Sequence, residues 1–190
     1  MAHRIDPRHI AHLDSPLRRL ILPPKPLLTR LGLREGDSLL DIGAGSGAFS
    51  FPAAELVGPG GKVYALDIEP VAIALLEERR AALGAANVEV LQSTEESLGL
   101  PDGSASIALL FMVFHEVEDK KGLLLMIMRA LRPGGRIVIA EFRKKAFVPG
   151  PPPSERLGEN EARELLAEAG FVGARTERLN FALYAAFAHI

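Results

Sequence analysis

Leu39–Phe49 reads LLDIGAGSGAF: a short apolar run ending in an acid, three glycines at alternate positions, and the first residues of a helix. Gly43, Gly45 and Gly47 can take backbone angles that a Cβ forbids. A glycine loop that opens a helix also brings the main chain, with its unpaired N–H groups, close to a ligand. Strand, glycine loop and helix N-terminus together make the local architecture of a nucleotide-cofactor site. The loop alone does not choose the cofactor, because GAGSGA also satisfies G-x-G-x-x-[GA], the dinucleotide fingerprint.

Outward from the loop, strand-like and helix-like segments alternate. Residues 38–42 form the first strand and residues 48–57 a helix, with Pro52 tolerated in its first turn. GPGGK at 58–62 is a turn, and residues 63–67 read as the second strand. Pro70 sits where a helix begins, and Val71, Leu75 and Ala82 with Ala72, Leu76 and Leu83 put an apolar stripe along it at helical spacing. Residues 87–91 make a third strand. After the turn signal Pro101-Asp102-Gly103, the unbroken apolar run 105–114 suits a strand covered on both faces. A helix over 120–131 is stopped by Pro133-Gly134-Gly135, a fifth strand covers 136–142, and Gly170 closes a helix over 159–169. Two strands, 174–179 and 181–189, are joined by so short a connection that they must be antiparallel. The pattern predicts an α/β fold: a single doubly wound, mostly parallel seven-stranded sheet, its last strand antiparallel, with helices on both faces. Residues 1–36 are expected to form an N-terminal helical arm or lid, and residues 37–190 the cofactor-binding domain. Pro23-Pro24-Lys25-Pro26 reads as a stiff link between them.

Composition narrows the chemistry. The 190 residues suffice for one α/β domain with a substantial core. Cysteine is absent, which removes disulfides, thiolate metal sites and every mechanism with a Cys nucleophile. No apolar run approaches the ~18 residues of a membrane span, and the N-terminus lacks the apolar segment of a signal peptide, so the expected compartment is the cytoplasm. A net charge of −2 offers nothing global to nucleic acid. The first 36 residues differ, with seven Arg or Lys and three His against three acids. His3, His9, His12, Arg18 and Arg19 in this stretch could reach an acidic substrate, or simply form a solvated arm.

Two acids end the first two strands. Asp67 follows Gly47 by 20 positions, the usual place for a carboxylate that accepts both hydroxyls of a ribose. Asp41 precedes the first glycine, where it would face the pyrophosphate of a dinucleotide but would suit an ammonium group. The loop carries no extra basic residue for a phosphate, and one nucleotide-binding sheet accounts for the chain. These features weigh against NAD(P).

With these residues in place, the chain resembles the class I S-adenosylmethionine-dependent methyltransferases. The matching blocks are LLDIGAGSG (39–47), VYALDIEP (63–70), LPDGSASIALLFMVFHEVED (100–119), ALRPGGRIVIAEF (130–142) and EARELLAEAGF (161–171), in the family's order. The small-molecule branch with the quinone-biosynthesis C-methyltransferases is the most similar. The resemblance implies that Asp41 contacts the amino group of S-adenosylmethionine. The backbone of Gly43, Ala44, Gly45 and Gly47 would receive the methionine part. Asp67 would hold the ribose, with Ile68 packing against adenine. Ser93 and Thr94 would meet the adenine edge, Ser93 standing where the family commonly carries an acid. Phe111 and Phe114 would border the cofactor.

His115 and Glu116 form the candidate acid/base pair after the fourth strand. A His there could take a proton from the acceptor, or it could be a cap or wall residue. The sulfonium already carries a good leaving group, so alignment matters most, at roughly 7–11 kcal/mol of barrier lowering. A lone base adds about 10²–10⁴-fold. No metal is expected. FMVFHEV lacks the Asn/Asp-Pro-Pro-aromatic signature of methyltransferases that act on base amines, and no aromatic-interleaved basic stripe supports nucleic acid. The expected partner is a small-molecule methyl acceptor, with no nucleic acid and no membrane; the arm could be a lid or a homodimer contact. An NAD(P)-dependent oxidoreductase and a non-catalytic S-adenosylmethionine-binding module are the alternatives.

Overall fold

Aliphatic runs bounded by glycine and proline turns fold as seven strands, in a computed structural model that describes residues 22–145 and 150–190. The strands are β1 (Ser38–Ile42), β2 (Lys62–Asp67), β3 (Val88–Gln92), β4 (Ala105–Phe111), β5 (Leu131–Phe142), β6 (Val172–Arg178) and β7 (Leu183–His189). Among the described residues, five helices are interspersed: α1 (Pro24–Arg30), α2 (Ser50–Val57), α3 (Pro70–Leu83), α4 (Lys120–Ala130) and α5 (Glu159–Glu168). The sheet order is β3-β2-β1-β4-β5-β7-β6. β1 with β2, β2 with β3 and β4 with β5 are parallel, whereas β7 runs antiparallel to both β5 and β6. This is the predicted mostly parallel α/β sheet with its last strand reversed. The basic residues His3, His9, His12, Arg18 and Arg19, and residues 147–149 of FVPGPPP (147–153), the proline-rich loop after β5 expected to contribute to acceptor selectivity, lie outside the described residues.

Two compact units meet in the chain at Leu100 and Pro101. The first holds β1–β3 and α1–α3. Leu39, Leu40, Val63, Ala65, Leu66 and Leu76 are fully buried in it. The prolines expected to make a stiff link instead open α1, with Pro24 and Pro26 in its first turn, where a missing N–H costs no hydrogen bond. Leu28 of this helix is buried.

The second unit holds β4–β7, α4 and α5. β4 is buried along its whole length, as an unbroken apolar run requires. It ends at Phe111, three residues short of the apolar run. Met112 takes φ 59° and turns the chain away, and a 3-10 turn follows over Phe114–Glu116. β5 begins at Leu131 rather than Arg136: Ala105 pairs with Leu131 and Ile107 with Arg136, so residues 132–135 form a bulge within the strand. The β6–β7 connection is held by Asn180, whose Oδ1 accepts from the N–H groups of Ala182 (2.8 Å) and Leu183 (2.9 Å).

Candidate active site

In parallel α/β sheets ligands bind beyond the carboxyl ends of the strands, and in the first unit those ends carry Asp41 and Asp67. Between them runs the glycine loop. Gly43, Gly45 and Gly47 all have positive φ, at 69°, 55° and 75°. The loop is tied down by backbone hydrogen bonds: Ala44 N–H donates to Leu66 O of β2 (2.8 Å) and Gly47 N–H to Ala44 O (2.8 Å). Arg79 of α3 donates to Ser46 O (2.6 Å). A Cβ on Gly47 would collide with the Phe51 ring and come within 2.9 Å of Leu76, so this glycine is also what lets α2 and α3 pack against the loop.

Asp67 is organised by neutral donors. Its Oδ2 accepts from Gly45 N–H (2.8 Å) and its Oδ1 from Glu69 N–H (3.0 Å). A carboxylate offers about four lone-pair sites, so each oxygen keeps one for a further donor. Asp41 is buried at 3% exposure and takes a hydrogen bond from the Ser50 hydroxyl. Burial pushes its carboxyl up to about 6; the Ser50 hydroxyl opposes that rise and the charge of Asp67 adds to it. Ser46 Oγ is buried without a hydrogen-bond partner among the described residues. An orphaned hydroxyl, a buried acid short of a cation and a carboxylate with spare acceptor sites fit a ligand that brings an ammonium and hydroxyl groups.

The remaining positions in this unit are placed unequally. Ile68 is 47% exposed. Ser93 is buried and its N–H donates to Asp67 O (3.0 Å). The Thr94 hydroxyl accepts from Glu96 N–H (3.2 Å), which shapes the following turn. Gln92 reaches back to Ile68 O (3.3 Å).

In the second unit, the turn at Met112 sets His115 against the end of β5. A positive φ at a non-glycine residue costs roughly 1–3 kcal/mol and tends to occur at functional sites; here Met112 N–H is held on Ala140 O (2.8 Å). His115 faces Glu141, a buried residue that was not among the sequence candidates. His115 Nδ1 lies 2.8 Å from Glu141 Oε2 and 3.0 Å from Oε1, and the His115 backbone N–H donates to Oε1 (3.1 Å). Glu116 is more remote: its Oε1 stands 3.7 Å from His115 Nε2. Burial works to depress the imidazolium, but the hydrogen bond and charge of Glu141, with the charge of Glu116, outweigh it and the opposing Lys120. The His115 pKa is therefore raised above 6.5.

Phe111 is 8% exposed at the end of β4, but Phe114 is fully buried. A cofactor contact at Phe114 would require its ring to leave the core, because burial, not a ligand, already accounts for it. Among the described residues, no three His, Asp or Glu side chains are grouped to hold a metal ion. No described helix is long and apolar enough to cross a membrane.

The fold and the glycine-loop site together define a Rossmann-like, S-adenosylmethionine-binding type of α/β protein. Residues 33–170 match the methyltransferase-domain family. The chain belongs to that family, the class I S-adenosylmethionine-dependent methyltransferases. It is similar over nearly its whole length to the crystal structure of a SAM-dependent methyltransferase from Aquifex aeolicus, with a TM-score of 0.90 and 32% identity over 98% of this chain and 100% of the other. The PH0226 protein of Pyrococcus horikoshii shares the fold at a TM-score of 0.76 and 19% identity, over 98% of this chain and 97% of that one. Among curated proteins, the ubiquinone/menaquinone biosynthesis C-methyltransferase UbiE of Cronobacter sakazakii is 34% identical over 119 residues, 62% of this chain and 47% of that protein. UbiE of Hahella chejuensis is 35% identical over 118 residues, 62% and 47% respectively. The chain thus spans about half the length of the curated relatives it matches.

Proposed function

We propose that this protein transfers the methyl group of S-adenosylmethionine to a small-molecule acceptor. The observation that carries the reading is the first unit's glycine loop with its two acids. Asp41 is buried with a hydroxyl as its hydrogen-bond donor, a placement that favours a cationic amino group. Asp67 is fixed by Gly45 N–H and keeps acceptor sites for ribose hydroxyls. The Gly43, Ala44, Gly45 and Gly47 backbone would lie along the methionine part, Ile68 along the adenine, and Ser93 and Thr94 at its edge. When bound, S-adenosylmethionine supplies an electrophilic methyl group that leaves with the sulfur's bonding pair retained on sulfur. In this reading His115 would receive the acceptor's proton, and Glu116, at 3.7 Å from its Nε2, would add negative charge beside it. The sequence similarity to UbiE enzymes supports an acceptor of metabolite size.

Calorimetric titration with S-adenosylhomocysteine, NAD and NADP tests the cofactor. Micromolar binding of S-adenosylhomocysteine alone is the expected result. A preference for a nicotinamide nucleotide would move the protein to redox chemistry, and binding of none of the three would leave the glycine loop without the role assigned to it. Once an acceptor is in hand, His115→Ala should lower the transfer rate by about 10²–10⁴-fold with cofactor affinity intact.

A further inference from the structure

Glu141 is 1% exposed, and a buried carboxylate needs either a cation or several donors to offset its desolvation. Among the described residues, neither an arginine nor a lysine supplies that. The side-chain hydrogen bonds of Glu141 among the described residues all go to His115: one from its backbone N–H and two contacts with Nδ1, at 3.0 and 2.8 Å. Tyr184 lies directly opposite Glu141 on β7, so both side chains leave the same face of the sheet. Yet its hydroxyl donates elsewhere, to the carbonyls of Leu157 (3.1 Å) and Gly158 (3.3 Å). Among the described residues, the carboxylate is thereby left to His115.

We infer that Glu141 is a positioning residue for methyl transfer: it holds the proton of His115 on Nδ1 and so leaves Nε2 as the nitrogen that accepts the acceptor's proton. The inference rests on the methyltransferase reading of the site. A carboxylate touching Nδ1 with both oxygens accepts only from a protonated nitrogen, so neutral His115 must be the Nδ1–H tautomer. Nε2 then carries the lone pair, and it makes no hydrogen bond among the described residues, with Glu116 at 3.7 Å. The strained turn at Met112 and the second bond, from the His115 N–H, fix the ring's plane relative to β5. In the reaction, the bond between the acceptor atom and its hydrogen breaks and a bond between that hydrogen and Nε2 forms. The electron pair left on the acceptor becomes its bond to the methyl carbon. The imidazolium that results carries a proton on each nitrogen and faces Glu141 from β5, Glu116 from its own turn and Lys120 from α4, two negative charges against one positive.

The test is nitrogen-15 NMR of the histidine rings in the full chain. Five histidines are present, and His115→Gln assigns the signal by subtraction. In the wild type at high pH, His115 should show protonated Nδ1 and bare Nε2, with a titration midpoint above 6.5. Glu141→Gln removes the charge but keeps the shape, and should lower that midpoint by about one unit or more while S-adenosylhomocysteine affinity changes less than about twofold. Glu141→Asp, which restores the charge on a shorter arm, should recover part of the shift. An Nε2–H tautomer in the wild type, or a midpoint indifferent to Glu141→Gln, overturns the inference. If Glu141→Gln proves too unstable to study, the wild-type tautomer and the Glu141→Asp titration decide it. Failure of S-adenosylhomocysteine to bind is a separate outcome that would sink the methyltransferase reading and leave the ring's tautomer as measured.

Discussion

Asp41 and Glu141 each come from a strand, in different units, and each is almost fully buried, yet their surroundings treat the charge in opposite ways. Asp41 receives a hydrogen bond from the Ser50 hydroxyl, and burial pushes its carboxyl up to about 6. Glu141 is matched to His115 through both of its oxygens, and raises the proton affinity of that ring. An acid held by a neutral donor keeps unspent attraction for a cation, which suits ligand binding. An acid matched to an imidazole has transferred its influence to the ring's second nitrogen, which suits proton transfer. On the proposed function, the first would serve recognition and the second proton handling.

The glycine loop offers the largest effect by which to break this division. Gly47→Ala places a Cβ against Phe51 and Leu76 at a φ of 75°, and should cost about 2–4 kcal/mol of stability from strain and overpacking. Gly134→Ala, at a φ of 74° but with no atom within 4 Å of the new Cβ, should cost only about 1 kcal/mol. Urea melts of the two variants measure the difference; equal midpoints would mean that packing against the loop contributes nothing.

Next comes Asp67. Asp67→Ala removes the acceptor of Gly45 N–H together with the proposed ribose contact. S-adenosylhomocysteine binding should weaken by roughly 1.5–3 kcal/mol, the value of charged hydrogen bonds lost in a site. Calorimetry checks it, and an unchanged affinity would remove the ribose from this residue.

A smaller but sharper effect is expected at Asp41, because stability and binding should move in opposite directions. Its folded pKa, about 6, lies above the unfolded 3.8. The group's contribution to stability is therefore fully present below the unfolded value and is lost as pH rises through about 6. Asp41→Asn should raise the ligand-free protein's stability at pH 7 by roughly 2 kcal/mol while weakening S-adenosylhomocysteine. In the wild type, affinity should decline as pH falls below about 6, when the carboxyl takes up a proton. Thermal melts and calorimetry from pH 5 to 8 report both halves. A variant that loses stability and affinity together would make Asp41 an ordinary structural residue.

Much of this was legible in the chain. GAGSG, the acid 20 residues beyond it and the alternation of apolar runs specify strand, loop and helix by local chemistry: positive φ at glycine, proline at helix starts, and 2- and 3.6-residue periods. The short β6–β7 connection dictated the reversed strand. Local chemistry misled in three places. The apolar run through residue 114 read as one strand, but Met112 turns it at a φ few residue types favour, and no side-chain pattern announces that turn. The prolines at 23–26 read as a link and proved to begin a helix, since Leu28 finds a place in the core. Leu131 read as the helix's last residue and Pro133-Gly134-Gly135 as its stop; the helix ends at Ala130, and the pairing of Leu131 with Ala105 draws residues 132–135 into β5 as a bulge.

Glu141 is the site residue that the chain concealed. An acid at the end of an apolar strand was there to be noticed, but 26 positions separate it from His115. Their meeting depends on the parallel register of β4 with β5 and on the left-handed turn at Met112. By itself the sequence determined the cofactor loop and the order of elements, because those follow from each residue's own backbone preferences and its near neighbours. Which nitrogen of His115 holds a proton was decided only by the tertiary structure, because a hydrogen bond between distant residues exists only once the sheet has brought their strands side by side.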